Sequence, residues 1–210
     1  MPLTHFCRLA LAMILVVGAT ACSGPKHELE EWQKSPPDGI TVGDLVFRKG
    51  RGFWTPYFVE ASTREKRFSH VGIVSTIENG KVLVLHAEAS EVSGQGAVKE
   101  EDWTKFFTKT LEGAVYRYDG DQETAKRFAE EGRTKIGVPF DFLFDLSESK
   151  RLYCTELVRD TINKVVGKEL IGFSIISGRP FIALDDIYVS HFTKIWDSVT
   201  SSNNVIHPMP

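Results

Sequence analysis

Residues 69–89, SHVGIVSTIENGKVLVLHAEA, decide the fold class. His70-Val71-Gly72-Ile73-Val74-Ser75 and Lys81-Val82-Leu83-Val84-Leu85-His86 are rich in β-branched and apolar residues, a strand composition. Glu78-Asn79-Gly80 lies between them. Asn and Gly tolerate the positive φ that a tight hairpin turn requires, so the two strands are expected to pair there. That hairpin brings its two far ends together and places His70 and His86 near the same end of a sheet. Outward from it, Leu45-Val46-Phe47-Arg48 follows the turn signals Asp38-Gly39 and Gly43-Asp44, and Ala114-Val115-Tyr116-Arg117-Tyr118 supplies another strand. The outline is an antiparallel sheet.

Beyond Asp119 the pattern changes to helical. Asp121 is placed to cap QETAKRFAEEGRTKIG, in which Ala125, Phe128, Ala129 and Ile136 form an approximate apolar stripe before Gly137 and Pro139. A second helix is expected to open at Cys154 and run through CTELVRDTINKVVG, with Leu157, Val158, Ile162 and Val165 on one face and Gly167 as its stop. Residues 49–68 mix Gly, Pro, aromatics and charge, consistent with a loop or a short helix around Tyr57 to Thr63. The fold class is α+β, an antiparallel sheet packed against helices.

The chain has 210 residues, 42% hydrophobic and 25% charged, with a formal net charge of −3. These values describe a globular protein, and its length suits one domain after the leader. Charges of both signs are interspersed without a Lys/Arg cluster, which argues against a nucleic-acid partner. The first residues differ. MPLTHFCR precedes the apolar run LALAMILVV and the small-residue stretch GATAC, the layout of a signal peptide over residues 1–21. No apolar run reaches the about 20 residues of a membrane-spanning helix. Residues 22–40 then read as a polar, Pro-containing tether, 41–197 as the domain and 198–210 as a frayed tail.

Cys7 leaves with that leader, and Cys22 stands at its end, so the exported domain keeps one thiol without a neighbour, Cys154. Such a cysteine is a buried bystander or a reactive group. A helix start favours the reactive form, because free backbone N–H groups and the helix dipole lower a thiol pKa. His70 and His86 supply an imidazole to take the proton and a polar group to orient that imidazole; Glu88, two residues along the same strand face, competes for the orienting role. His70, His86 and Cys154 also have the donor types of a metal site, but no tight ligand spacing supports one. No cofactor is expected.

These motifs together resemble a known family. GDLVF (43–47), SHVGIV (69–74), VLVLHA (82–87), VPFDFLF (138–144) and YCTELV (153–158) occur in the order found in circularly permuted papain-like cysteine hydrolases, the YiiX/YaeF group of envelope lipoproteins, related to NlpC-type cell-wall peptidases and lecithin retinol acyltransferase. The resemblance covers roughly residues 40–170 and implies a permuted papain-like fold with a small barrel-like sheet. By position it implies Cys154 as nucleophile, His70 as general base and His86 as the orienting third residue. Many members carry Glu where this chain has His86, while the acyltransferase branch carries His. Tyr153 and Trp54 are candidates for substrate binding, and loops 49–68 and 89–112 for the pocket walls. Phe53, Tyr57 and Phe58 fit an acyl-chain site or plain packing. Asp44 reads as a turn carboxylate, and Pro139 and Asp141 as shaping the loop before the cysteine helix.

Ala19-Thr20-Ala21-Cys22 resembles a bacterial lipobox, which implies lipidation of Cys22, and Ser23 implies sorting to the outer membrane, facing the periplasm. The expected activity is thiol hydrolysis of an amide or ester through an acyl-enzyme, on a cell-envelope peptide or a lipid-linked substrate. The alternatives are an inactive ligand- or partner-binding envelope lipoprotein and a lipid acyltransferase.

Overall fold

A computed structural model describes residues 28–202 apart from 91, 148 and 149. The expected signal peptide and Cys22 lie outside the described residues. In chain order the elements are α1 (Glu31–Lys34), β1 (Leu45–Gly50), α2 (Thr55–Ala61), β2 (His70–Glu78), β3 (Lys81–Ala89), β4 (Gly96–Asp102), α3 (Trp103–Phe106) and β5 (Thr110–Tyr118). Then follow α4 (Gln122–Arg133), α5 (Cys154–Val166), β6 (Ser174–Ile176), β7 (Arg179–Phe181), α6 (Leu184–Tyr188), β8 (Phe192–Asp197) and α7 (Ser198–Ser202).

Six strands form one antiparallel sheet in the order β4-β3-β2-β1-β5-β8. Among the described residues β4 and β8 stand at the two ends of this order, and the sheet packed against helices is the expected permuted papain-like arrangement. The β2–β3 hairpin turns at Asn79 and Gly80, with φ of 51° and 76°, and pairs Glu78 with Lys81. Two positive φ angles in a two-residue loop match the strand twist, which is why Asn-Gly stands there.

Both sheet faces are covered, which explains the nearly continuous apolar strands. Leu45, Phe47, Val71, Ile73, Leu85 and Ala87 join the core under α4 and α5, while Val46, Val74, Val84 and Val115 pack with Trp103, Phe106 and Phe107 on the other face. Helix α4 is capped by Asp121, whose carboxylate accepts Thr124 N–H at 2.8 Å. It ends at Arg133, so Ile136 falls beyond it and is half exposed instead of extending the apolar stripe. Helix α5 buries Leu157, Val158 and Ile162, each worth about 1.5–3 kcal/mol, and stops at Gly167 in a left-handed conformation with φ 75°.

Two boundaries differ from the sequence reading. The tether segment contributes α1, where Trp32 packs on Phe107 and Trp196, and buried Gln33 donates to Phe107 O at 2.9 Å and Thr110 O at 3.3 Å. The tail begins inside the fold, since Ser198 is buried and its Oγ accepts Gly113 N–H at 2.9 Å. Both segments satisfy backbone groups near the β5 end of the sheet, so neither peels away without leaving buried polar atoms unpaired.

Candidate active site

Helix α5 starts at Cys154, which is 1% exposed. The strap before it is fixed by buried Asp141, whose carboxylate accepts Leu143 N–H at 2.9 Å and Asp145 N–H at 2.7 Å. Backbone N–H groups of Val71, Thr155 and Cys154 itself favour thiolate, as a helix start should. Burial is the larger effect, and the thiol is pushed up to about 12. The lowered thiol pKa expected from the helix start is therefore not present in this closed environment.

His70 opens β2 and His86 lies near the end of β3, both on the face that carries Phe106. Their rings meet: His70 Nε2 is 2.9 Å from His86 Nδ1. His70 Nε2 is thus engaged, and Nδ1 is the nitrogen left for another group. The other nitrogen of His86, Nε2, lies 3.2 Å from Glu101 Oε2. Among the described residues Glu101 is the polar group that faces this buried Nε2, close enough for its carboxylate to favour a proton there. Burial pushes both histidines below their usual pKa, with Arg48 adding to the effect, so both are neutral at pH 7.

Glu88 lies near both rings but is held by two cations. Arg48 binds one carboxylate oxygen and Lys99 the other, the latter at 3.1 Å. Burial alone would raise Glu88; Arg48 and the other positive neighbours outweigh it and hold the carboxyl well below the usual range. Glu101 shares Lys99 at 2.7 Å and is held down at about 2, chiefly by its contact with His86. The sequence pattern hides Glu101, because residues 89–112 read as a loop; a weak alternation around Val98 marks the strand.

A cavity of about 330 Å³ opens onto Cys154 and His70. One side is aromatic, from Trp54, Phe58, Phe140, Phe142 and Phe144, and the other is charged, from Arg48, Glu88, Glu101, Lys105 and Lys109. Trp54 is 41% exposed on this wall, while Phe53 points outward at 79%. The expected loops 49–68 and 89–112 do line it, the second through β4 and α3. Tyr153 does not belong to the lining. It is fully buried, its ring stacks on Phe181 at 5.4 Å, and its hydroxyl accepts Ile182 N–H at 3.0 Å, so it is a core residue and not a substrate contact. Asp44 accepts Thr41 N–H at 2.7 Å and pairs with Arg117, the structural role its turn position suggested.

A thiol at a helix start, sharing a cavity with a histidine that presents a free ring nitrogen, all against an antiparallel sheet, defines the papain-like cysteine hydrolase class. Residues 39–176 match the profile of the permuted papain-like amidase enzymes, YaeF/YiiX, C92 family, and the chain belongs to that family. Among solved structures it is similar to the protein described as metalloprotein yiiX from Escherichia coli O157:H7, with a TM-score of 0.61 and 17% identity over 74% of this chain and 96% of that one. This likeness shows the shared fold. No protein of curated function matches the chain.

Proposed function

We propose that this chain is a thiol hydrolase that cleaves an amide or ester through an acyl-enzyme, with Cys154 as nucleophile, His70 as base and His86 as the residue that orients it. The observation that carries this reading is the 2.9 Å contact between His70 Nε2 and His86 Nδ1, which reserves His70 Nδ1 at a cavity shared with Cys154. The thiol proton passes to Nδ1 as sulfur bonds to the substrate carbonyl carbon. Backbone N–H groups at the helix start receive the oxyanion. The bond to nitrogen or oxygen breaks as His70 returns the proton to that leaving group, and water then releases the acid by the same relay.

The half-aromatic, half-charged cavity suits a substrate with an apolar acyl part and a polar leaving group. That is compatible with a lipid-linked or peptide substrate of the cell envelope, with Trp54 on the acyl side. Lipid attachment at Cys22 on the periplasmic face of the outer membrane would hold the domain beside such substrates. Acyl transfer to an acceptor other than water uses the same steps.

A metal reading has one observation in its favour: His70, His86 and Glu88 place donor atoms within 4.8 Å of one another. The set does not fit a cation as arranged. Ligand lone pairs must converge on one point about 2.0–2.1 Å away, whereas the two ring nitrogens here face each other along a hydrogen bond. Glu88 is already neutralised by Arg48 and Lys99, whose charges oppose a further cation.

The test is alkylation of the full-length protein by iodoacetamide from pH 5 to 10, read by intact mass, together with acylation by p-nitrophenyl butyrate. Proton transfer from Cys154 to His70 does not change the total proton count, so the wild-type rate is expected to be flat across neutrality and to fall only where His70 protonates, below pH 6.5. In His70→Ala the flat region should vanish and the rate should rise with pH throughout, with acylation down by about 100-fold or more. Identical profiles in both proteins, with no acyl adduct on Cys154, would leave a binding lipoprotein as the reading.

A further inference from the structure

We infer that Glu101, on edge strand β4, is the positioning residue that sets the proton polarity of the histidine pair, and through it the nitrogen that His70 offers to the thiol. The inference rests on the thiol-hydrolase reading for its consequence and on geometry for its substance.

The His70–His86 contact has two possible senses, because either ring can supply its proton. If His86 carries its proton on Nδ1, it donates to His70 Nε2. His70 must then carry its own proton on Nδ1, and it cannot act as base there. If His86 carries its proton on Nε2, its Nδ1 accepts from His70 Nε2–H, and His70 Nδ1 is a bare lone pair. Only the second sense makes a general base.

His86 alone does not choose between them; the choice falls to whatever faces His86 Nε2. That atom is buried, and the group facing it is Glu101 Oε2 at 3.2 Å. A carboxylate only accepts, so it selects the Nε2–H form of His86. Charge and supply of partners make Glu101 and not Glu88 the selector. Glu88 gives its two oxygens to Arg48 and Lys99, while Glu101 gives one to Lys99 and keeps the other for the ring. The register supports this: Glu101 lies opposite Val84 and Lys99 opposite His86, so all four side chains share one sheet face. The order of proton donation is then His70 to His86 to Glu101, and an acceptor at the far end leaves the base unprotonated at the near end.

The experiment combines ¹⁵N spectra of the histidine rings with the iodoacetamide pH profile in wild type, Glu101→Gln and Glu100→Gln. Glu100 pairs with Arg133 away from the histidines, so its variant reports the cost of losing a carboxylate on the same strand. Wild type is expected to show a proton on Nε2 of both rings. Glu101→Gln offers an amide that can donate to His86 Nε2, so it should move the His86 proton to Nδ1, reverse the chain and lower the neutral-pH alkylation rate about tenfold or more, with thermal stability close to that of Glu100→Gln. Wild-type spectra with His86 protonated on Nδ1 overturn the proposal without any variant, which matters if Glu101→Gln does not fold. Unchanged tautomers and an unchanged profile in folded Glu101→Gln overturn it as well. A wild type whose alkylation is indifferent to His70 refutes the hydrolase reading instead, and the tautomers still decide the role of Glu101.

Discussion

Gly72→Ala isolates how the sheet makes room for the site. Gly72 lies two residues beyond His70 on β2, on the histidine face, and a Cβ built there would lie 2.5 Å from Val84 Cγ1, 2.9 Å from Leu85 O and 3.2 Å from His86 Cβ. The Val84 methyl can rotate away, but Leu85 O belongs to the backbone of β3, so the strands must part or β3 must shift. Overpacking of this kind costs about 1–3 kcal/mol, and alanine regains roughly 0.4–1 kcal/mol by restricting the unfolded chain. The net is about 1–2 kcal/mol, or about 3–6 °C in Tm for a domain of this size. Because His86 is one of the crowded neighbours, its 2.9 Å contact with His70 should lengthen, and the neutral-pH alkylation rate of Cys154 should fall about tenfold. Gly80→Ala is the control. There the backbone strain at φ 76° costs a similar about 1 kcal/mol, but the space around it is open and the turn lies at the other end of the hairpin. Urea melts and iodoacetamide labelling of both variants decide the matter. Wild-type stability and labelling in Gly72→Ala, or equal labelling losses in the two variants, would refute the packing argument.

Arg67→Met should destabilise the protein by about 3 kcal/mol at pH 7, the low end for a broken buried pair because Arg67 keeps some contact with water. Arg67 binds both oxygens of Asp197 at 2.7 Å and Glu112 at 2.8 Å. Burial alone would raise Asp197; Arg67 outweighs it and holds the carboxyl below the usual range, so its stabilising effect is present above the unfolded pKa and lost as pH falls through the folded one. In the variant Lys194 and Val199 N–H still bind Asp197, at 2.8 and 3.0 Å, but with Arg67 gone they offset less of the burial, so the carboxyl takes up its proton at a higher pH than in wild type. The gap between the two proteins should therefore narrow as pH falls toward about 4; a constant gap in urea melts would contradict this. Tyr153→Phe removes the acceptor of the buried Ile182 N–H and should cost about 1–3 kcal/mol while leaving the labelling profile of Cys154 intact. A profile altered in Tyr153→Phe at unchanged stability would return Tyr153 to the site.

The strands legible in the sequence are those with apolar side chains toward both layers. β1, β2, β3 and β5 carry two cores at once, and such runs stand out as continuous Val, Leu and Ile. α4 and α5 stand out because Asp121 and Gly167 mark their ends. Edge strands carry less. In β4 only Val98 is fully buried among charged residues, and the pairing of β8 with β5 joins segments about 80 residues apart, which no local pattern encodes. The same blindness hid Glu101, since a carboxylate on an unseen strand has no visible neighbour. The packing of the tether is hidden for a related reason: Trp32 and Gln33 look like polar-segment residues until Phe107, Thr110 and Trp196 are brought beneath them.

The thiol itself shows where sequence logic gives the wrong sign. A helix start favours thiolate, but Cys154 is almost wholly buried where it meets the cavity, and burial outweighs the helix start. Burial pushes the thiol up to about 12 and His70 below its usual range, and both shifts favour the uncharged forms of the two groups. On the proposed hydrolase reading, nucleophile formation would then accompany substrate binding: a carbonyl seated at the helix start would take the charge from sulfur onto an oxygen that backbone N–H groups can reach, and His70 would accept the proton in the same event. The requirement this imposes falls on the base: an imidazole that waits neutral is useful only if its lone pair faces the thiol, and that is what the order His70, His86, Glu101 secures.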